Sequence, residues 1–142
     1  MFLTVSHAAA TVKPRMLGRV YAIASLAAVI VAMMPELLNH FQGTGIPSSV
    51  LMYAVIVLSG AWATSVASLG YGAIGGALTG FLCSLTGGIV YAIIHHMDPA
   101  GATKTVTAAV VISLGLGAVL GVLGGIPVWL WRLGRKPARH PG

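Results

Sequence analysis

Residues 48–94 contain no Asp, Glu, Lys, Arg or His. This uncharged stretch of 47 residues constrains the fold more than any other feature of the chain. A helix rises about 1.5 Å per residue and the hydrocarbon core of a bilayer is about 30 Å thick, so about 20 residues cross it once. The stretch is too long for one crossing and long enough for two. It predicts two membrane helices, over residues 48–69 and 72–94, joined by a tight turn at Gly70-Tyr71-Gly72.

Two further apolar segments, residues 17–38 and 105–131, flank this stretch. The first exceeds the apolar core of a secretory signal, about 7–15 residues, and it lacks a small-residue cleavage site, so we predict a retained helix. Pro127 is expected to kink the end of the last segment. The predicted fold class is therefore all-α: a polytopic membrane protein whose residues 17–131 form a bundle of four transmembrane helices with short loops.

The composition excludes a water-soluble surface. Only 7% of the residues are charged and 57% are hydrophobic, whereas a soluble domain is about 25% charged. The net charge of +6 does not indicate a nucleic-acid interface, because the basic residues lie at the chain ends rather than along one face. The expected partners are the lipid bilayer and either a second copy of the chain or another membrane protein.

The basic residues predict the orientation of the bundle. Seven lie on one side of the predicted spans and Lys104 alone lies on the other. Cytoplasmic loops carry the excess of Lys and Arg, so both the leader (residues 1–16) and the basic tail (residues 132–142) are predicted to be cytoplasmic. An even number of spans agrees with this. The expected location is the inner membrane of a bacterium. The seven residues are Lys13, Arg15, Arg19, Arg132, Arg135, Lys136 and Arg139.

Two glycine ladders predict where helices pack closely. Small residues let membrane helices approach each other, and residues four apart share a helix face. The third and fourth spans each carry three glycines at this spacing, namely Gly72, Gly76 and Gly80, and Gly117, Gly121 and Gly125. The spacing leaves open whether the ladders pack within one chain or between copies in an oligomer.

The chain's only acidic residues fall with histidines at the predicted outer ends of the first and third spans. They are Glu36 and His40, followed by His95, His96 and Asp98. Imidazole and carboxylate groups can bind transition metals and histidine titrates near neutrality. Adjacent histidines point in different directions on a helix, however. In one interpretation these are polar residues that contact water and lipid headgroups at the membrane surface. In the other they form an outer metal site or a pH-sensitive site.

No catalytic residue, metal site or cofactor is predicted. Hydrolase, zinc-protease, nucleotide and dinucleotide motifs are absent from the sequence, and Cys83 is the single cysteine. The predicted spans also lack ionisable groups at mid-membrane, where coupled transporters carry them. We expect a non-enzymatic accessory, assembly or structural subunit that acts by helix packing. The alternatives are a small oligomeric pore, including a holin-like one, and a carrier or metal-handling protein that uses the outer histidines.

Overall fold

The structure, a computed structural model, describes residues 14–42 and 48–135. The remaining positions, residues 1–13, 43–47 and 136–142, lie outside the described residues, and with them most of the predicted leader and tail. The described chain is all-helical and contains no strand, which confirms the all-α part of the predicted fold class. Its four helices are α1 (Pro14–Gln42), α2 (Ser48–Val66), α3 (Leu69–Ile94) and α4 (Pro99–Gly134).

Three of these helices are long and apolar enough to cross a membrane. They are the Pro14–Met34 part of α1, all of α3 and all of α4. The apolar part of α2, Val50–Val66, is shorter. These lengths are consistent with an integral membrane protein, as expected from the uncharged stretch.

The turn between α2 and α3 lies at Ala67 and Ser68, before the predicted Gly70-Tyr71-Gly72 position. Ser68 takes an extended conformation (φ −150°, ψ 172°) at the N-cap of α3, where serine is among the preferred residues. Gly70 and Gly72 then fall within the first turn of α3. The glycines are not needed to reverse the chain, and Gly72 is buried instead.

The last helix is longer than predicted at both ends. It starts at Pro99 because proline suits the first helical position and the Asp98 side chain accepts a hydrogen bond from the amide of Gly101 at 3.0 Å. The sequence pattern predicts that these residues lie in the loop before a helix that begins at residue 105. At the other end, α4 continues through Pro127 to Gly134, beyond the expected boundary at residue 131.

The helices α2 and α3 form the centre of the bundle. Both contact α1 and both contact α4, whereas α1 and α4 do not meet in the described residues. The most extensive interface joins α3 to α4. Small side chains dominate the buried positions, as in the cluster formed by Ala28, Ala32 and Cys83. Close approach of backbones, rather than interlocking of large side chains, therefore holds the centre together.

Candidate functional site

Backbones touch along the α3–α4 interface. A Cβ placed on Gly76 would overlap the carbonyl oxygen of Gly117, and one on Gly117 would overlap that of Gly76. Further along, a Cβ on Gly80 would lie 2.6 Å from the carbonyl oxygen of Ser113. The structure thus brings Gly72, Gly76 and Gly80 against Gly117 and Gly121 within one chain. Approach at this distance also permits Cα–H···O contacts, which recur where helices pack closely.

A third helix joins this interface at Gly60. A Cβ on Gly60 would overlap the Cα and carbonyl oxygen of Gly121. A Cβ on Gly72 would lie 2.9 Å from the carbonyl oxygen of Gly60, and one on Gly121 would lie 2.9 Å from the Cα of Gly76. The backbones of α2, α3 and α4 therefore meet at one level. We call Gly60, Gly72, Gly76 and Gly121 the glycine junction.

Thr64 is enclosed beside this junction. It is 1% exposed, and its hydroxyl is the one buried side-chain oxygen that lacks a hydrogen-bond partner in the described part of the chain. A Cβ on Gly72 or on Gly125 would overlap that hydroxyl oxygen. The third glycine of the α4 ladder thus packs on a threonine of α2, rather than on the α3 ladder.

Two hydroxyl pairs cross the interfaces between the helices. The hydroxyls of Ser59 and Thr79 are 2.7 Å apart between α2 and α3, and Ser59 also donates to the carbonyl of Ile56 at 2.8 Å. Ser84 and Ser113 form the second pair, between α3 and α4. Each pair satisfies polar groups inside an apolar environment, where an unpaired group would be costly.

The two ends of the bundle differ in chemistry. At one end, the Tyr21 hydroxyl donates to the carbonyl of Tyr71 at 2.9 Å, and the Arg132 guanidinium donates to the carbonyl of Ala67 at 3.3 Å. The Arg135 guanidinium lies 3.8 Å above the Trp131 ring. We call this the basic end; the opposite end, which carries the α3–α4 loop, is the histidine end. The clamps at the basic end tie α1 and α4 to the central helices.

A cleft lies between the glycine junction and the histidine end. Its volume is about 260 Å³. Side chains of α2 and α4 form its walls, and α3 contributes Gly80 and Ser84. The lining residues on the two walls include Met52, Tyr53 and Ile56 on α2, and Ala109, Ile112 and Leu116 on α4.

At the histidine end, His96 ends α3 in a left-handed conformation, with φ of 48°. Its amide donates to the carbonyl of Ile93 at 3.2 Å, and the amide of Met97 donates to that of Ala92 at 3.0 Å. This pair of bonds is a Schellman motif, in which glycine is the usual left-handed residue. His96 therefore has a backbone role that its sequence neighbours did not reveal.

Two other candidate outer residues, His95 and Asp98, make separate local contacts in the structure. The His95 ring lies 4.1 Å from the ring of Tyr91, and Asp98 caps α4. Glu36 and His40 are in α1, but their side chains lie outside the described residues. No group of three His, Cys, Asp or Glu side chains suited to a metal ion occurs among the side chains that the structure describes.

The sequence indicates only a weaker packing face on α2 and does not identify its partners. Gly60, Thr64 and Ser68 share the four-residue spacing of the stronger ladders, and this was the available signal. Gly124 was also overlooked as a contact residue, although a Cβ there would overlap the carbonyl oxygen of Val57. Spacing along one helix does not identify which neighbour a glycine meets, so these contacts needed the tertiary structure.

Comparisons with known proteins add no relative to this geometry. No protein-family model matches the chain, and neither a curated protein nor a solved structure matches it.

Proposed function

We propose that the chain crosses the membrane four times and that α2 is one of the spans. The contacts Tyr21–Tyr71 and Ala28–Cys83 pair the beginnings and the middles of α1 and α3, so these helices run in the same direction. The helix that joins them must then return across the same thickness. With 19 residues, α2 is about 28 Å long, close to the roughly 30 Å of the hydrocarbon core.

The proposed orientation places the basic end in the cytoplasm of a bacterium and the histidine end outside. Arg15, Arg19, Arg132 and Arg135 lie toward the basic end, while Lys104 lies toward the other. Labelling with a membrane-impermeant thiol reagent tests this. Cysteine at Ser68 should be protected in intact cells, and cysteine at Ala100 should be labelled, since both positions are exposed in the structure. Native Cys83 is buried, so its background labelling is low. The reverse pattern would contradict the orientation.

Our proposal for the function is an accessory, assembly or structural subunit that works by helix packing, with itself or within a larger membrane complex. The observation that carries it is the glycine junction. Three backbones meet there at contact distance, which favours helix packing over a conduction path through a single chain. The described helices also offer no charged group near their middles that could couple transport to a proton.

The lipid-facing surfaces of α1 and α4 are where a partner would bind. Both helices expose large apolar side chains, such as Leu26 at 63% on α1 and Val119 at 57% on α4. A photo-crosslinking amino acid at each position tests the proposal in native membranes. A discrete protein adduct at one position, either of twice the chain mass or with one other membrane protein, is expected. A probe at buried Ala28 is the matched control. Lipid adducts alone at both exposed positions would contradict a packing role.

The second candidate is a pore that lies between several copies of the chain. Such a pore would not pass through the glycine junction inside each copy. Liposomes containing the purified protein distinguish it from the first. A packing subunit should leave the passive flux of K⁺ and Cl⁻ at the level of protein-free liposomes. Flux that rises steeply with the protein-to-lipid ratio would favour the pore and overturn the accessory role.

A further inference from the structure

The cleft between α2 and α4 is not explained by helix packing. These two helices touch at the glycine junction, between Gly60 and Gly121, and also where Gly124 approaches the carbonyl of Val57 near the middle of α2. Toward the histidine end they separate, and α3 lies behind the gap with Gly80 and Ser84. The α2 and α4 residues that line the cleft precede these contacts along each helix, so the cleft lies in the half of the bundle that carries the histidines.

The wall of the cleft is largely apolar, and the two serine hydroxyls at its back are bonded to each other. Met52, Ile56, Ile112 and Leu116 supply the hydrocarbon surface. The hydroxyls of Ser84 and Ser113, on the α3 and α4 sides, are bonded to each other. A buried water molecule needs two to four polar partners, so this lining does not favour water. An empty cleft would forfeit dispersion contacts along its whole wall.

The cleft is open to the side, toward the surroundings of the bundle. Tyr53, Ile112 and Leu116 line it and are 48%, 67% and 42% exposed. In the membrane placement proposed above, the medium at this depth is lipid hydrocarbon. A hydrocarbon chain can enter sideways without removing a charged or polar group from water.

We propose that this cleft binds one hydrocarbon chain of a membrane lipid, from the leaflet nearer the histidine end. The inference rests on the proposed membrane placement but not on the accessory role. The chain fills the space that α2 and α4 leave and contacts both helices. A bound lipid of this kind holds α2 and α4 at a fixed separation in that half of the bundle, while backbone contact fixes them in the other half.

Lipid retention tests the proposal on the full chain. Protein extracted from native membranes in a mild detergent is exchanged extensively into lipid-free detergent, and the retained phospholipid is measured by native mass spectrometry. We expect the unaltered chain to keep one phospholipid. Ala109→Leu places three additional carbon atoms in the cleft. The leucine side chain takes the space of the bound chain and removes its contacts with the cleft wall, so the retained phospholipid should be lost.

The neighbouring alanine provides the matched control. Ala108 is exposed and does not line the cleft, so Ala108→Leu should keep the lipid.

If Ala109→Leu does not fold, Leu116→Ala provides a second route, because it widens the cleft and removes contacts, and it should also lower retention. Equal retention in all variants, or none in the unaltered chain, would overturn the proposal. So would a dimer in which a second copy covers Tyr53 and excludes lipid. Failure of the accessory role, seen by crosslinking or flux, leaves these results unaffected.

Discussion

Gly76 and Gly117 lie face to face, and the carbonyl oxygen of each occupies the place that a Cβ on the other would take. No other residue type fits this geometry without moving a helix. The relationship makes the α3–α4 interface sensitive to the smallest possible side-chain addition.

Gly76→Ala is therefore expected to destabilise the bundle. Overpacking of this kind costs about 1–3 kcal/mol, which should appear as a lower free energy of unfolding in a mixed-detergent titration. Gly115→Ala is the control. Gly115 lies on α4, the helix that Gly76 contacts, but nothing lies within 4 Å of a Cβ built there. It should be neutral or slightly stabilising because alanine favours helix. Equal effects of the two changes would mean that the backbone contact is not formed.

The buried hydroxyl of Thr64 predicts an unusual response to valine. Its oxygen has no hydrogen-bond partner among the residues that the structure describes, and valine replaces it with a methyl group of similar shape. Thr64→Val should keep or raise the free energy of unfolding, by up to about 1 kcal/mol. Thr79→Val is the matched change, and it should lower stability by about 1 kcal/mol because Thr79 bonds to Ser59 across the α2–α3 interface. A clear loss for Thr64→Val would indicate a hydrogen bond there instead.

His96→Gly should stabilise the chain. The left-handed conformation of residue 96 costs a non-glycine residue about 1 kcal/mol, and glycine adopts it without a steric penalty. His95→Gly is the control, since residue 95 has φ of −92° and gains nothing from glycine. Thermal unfolding of both variants in detergent measures the difference. Destabilisation by His96→Gly would show that the imidazole itself makes an important contact.

Zinc provides a separate test of the histidine end. If the outer residues serve as cap and loop residues only, adding Zn²⁺ should leave the unfolding temperature unchanged, both in the natural chain and in a His40, His95 and His96 triple alanine variant. Binding of a ligand to the folded state alone would raise the stability with ligand concentration. A rise that the triple variant abolishes would support the metal-site hypothesis.

The clamp between Tyr21 and Tyr71 predicts a modest but local effect. Tyr21→Phe removes the hydroxyl that donates to the Tyr71 carbonyl, so the free energy of unfolding should fall by about 1 kcal/mol. Tyr53→Phe is the control, because Tyr53 is half exposed and makes no hydrogen bond among the described residues. The same loss for both would assign the effect to removal of a tyrosine hydroxyl in general rather than to the hydrogen bond with Tyr71.

Some of this protein follows from the sequence alone. The missing charges from residue 48 to residue 94 require apolar helices, since water-soluble structure needs a polar surface and unpaired backbone groups are not tolerated in lipid. The four-residue spacing places Gly72, Gly76 and Gly80 on one face of one helix. These are local properties of length and period, so no knowledge of the partner helix is needed.

Other features were decided only by the tertiary structure. The turn falls at Ala67 and Ser68, and Gly72 packs inside the bundle against Thr64 and Gly60. The ladders of α3 and α4 meet within one chain, and α2 completes the junction through Gly60. Periodicity states which residues share a face but not what that face meets, because the partner is set by packing between residues distant in the sequence.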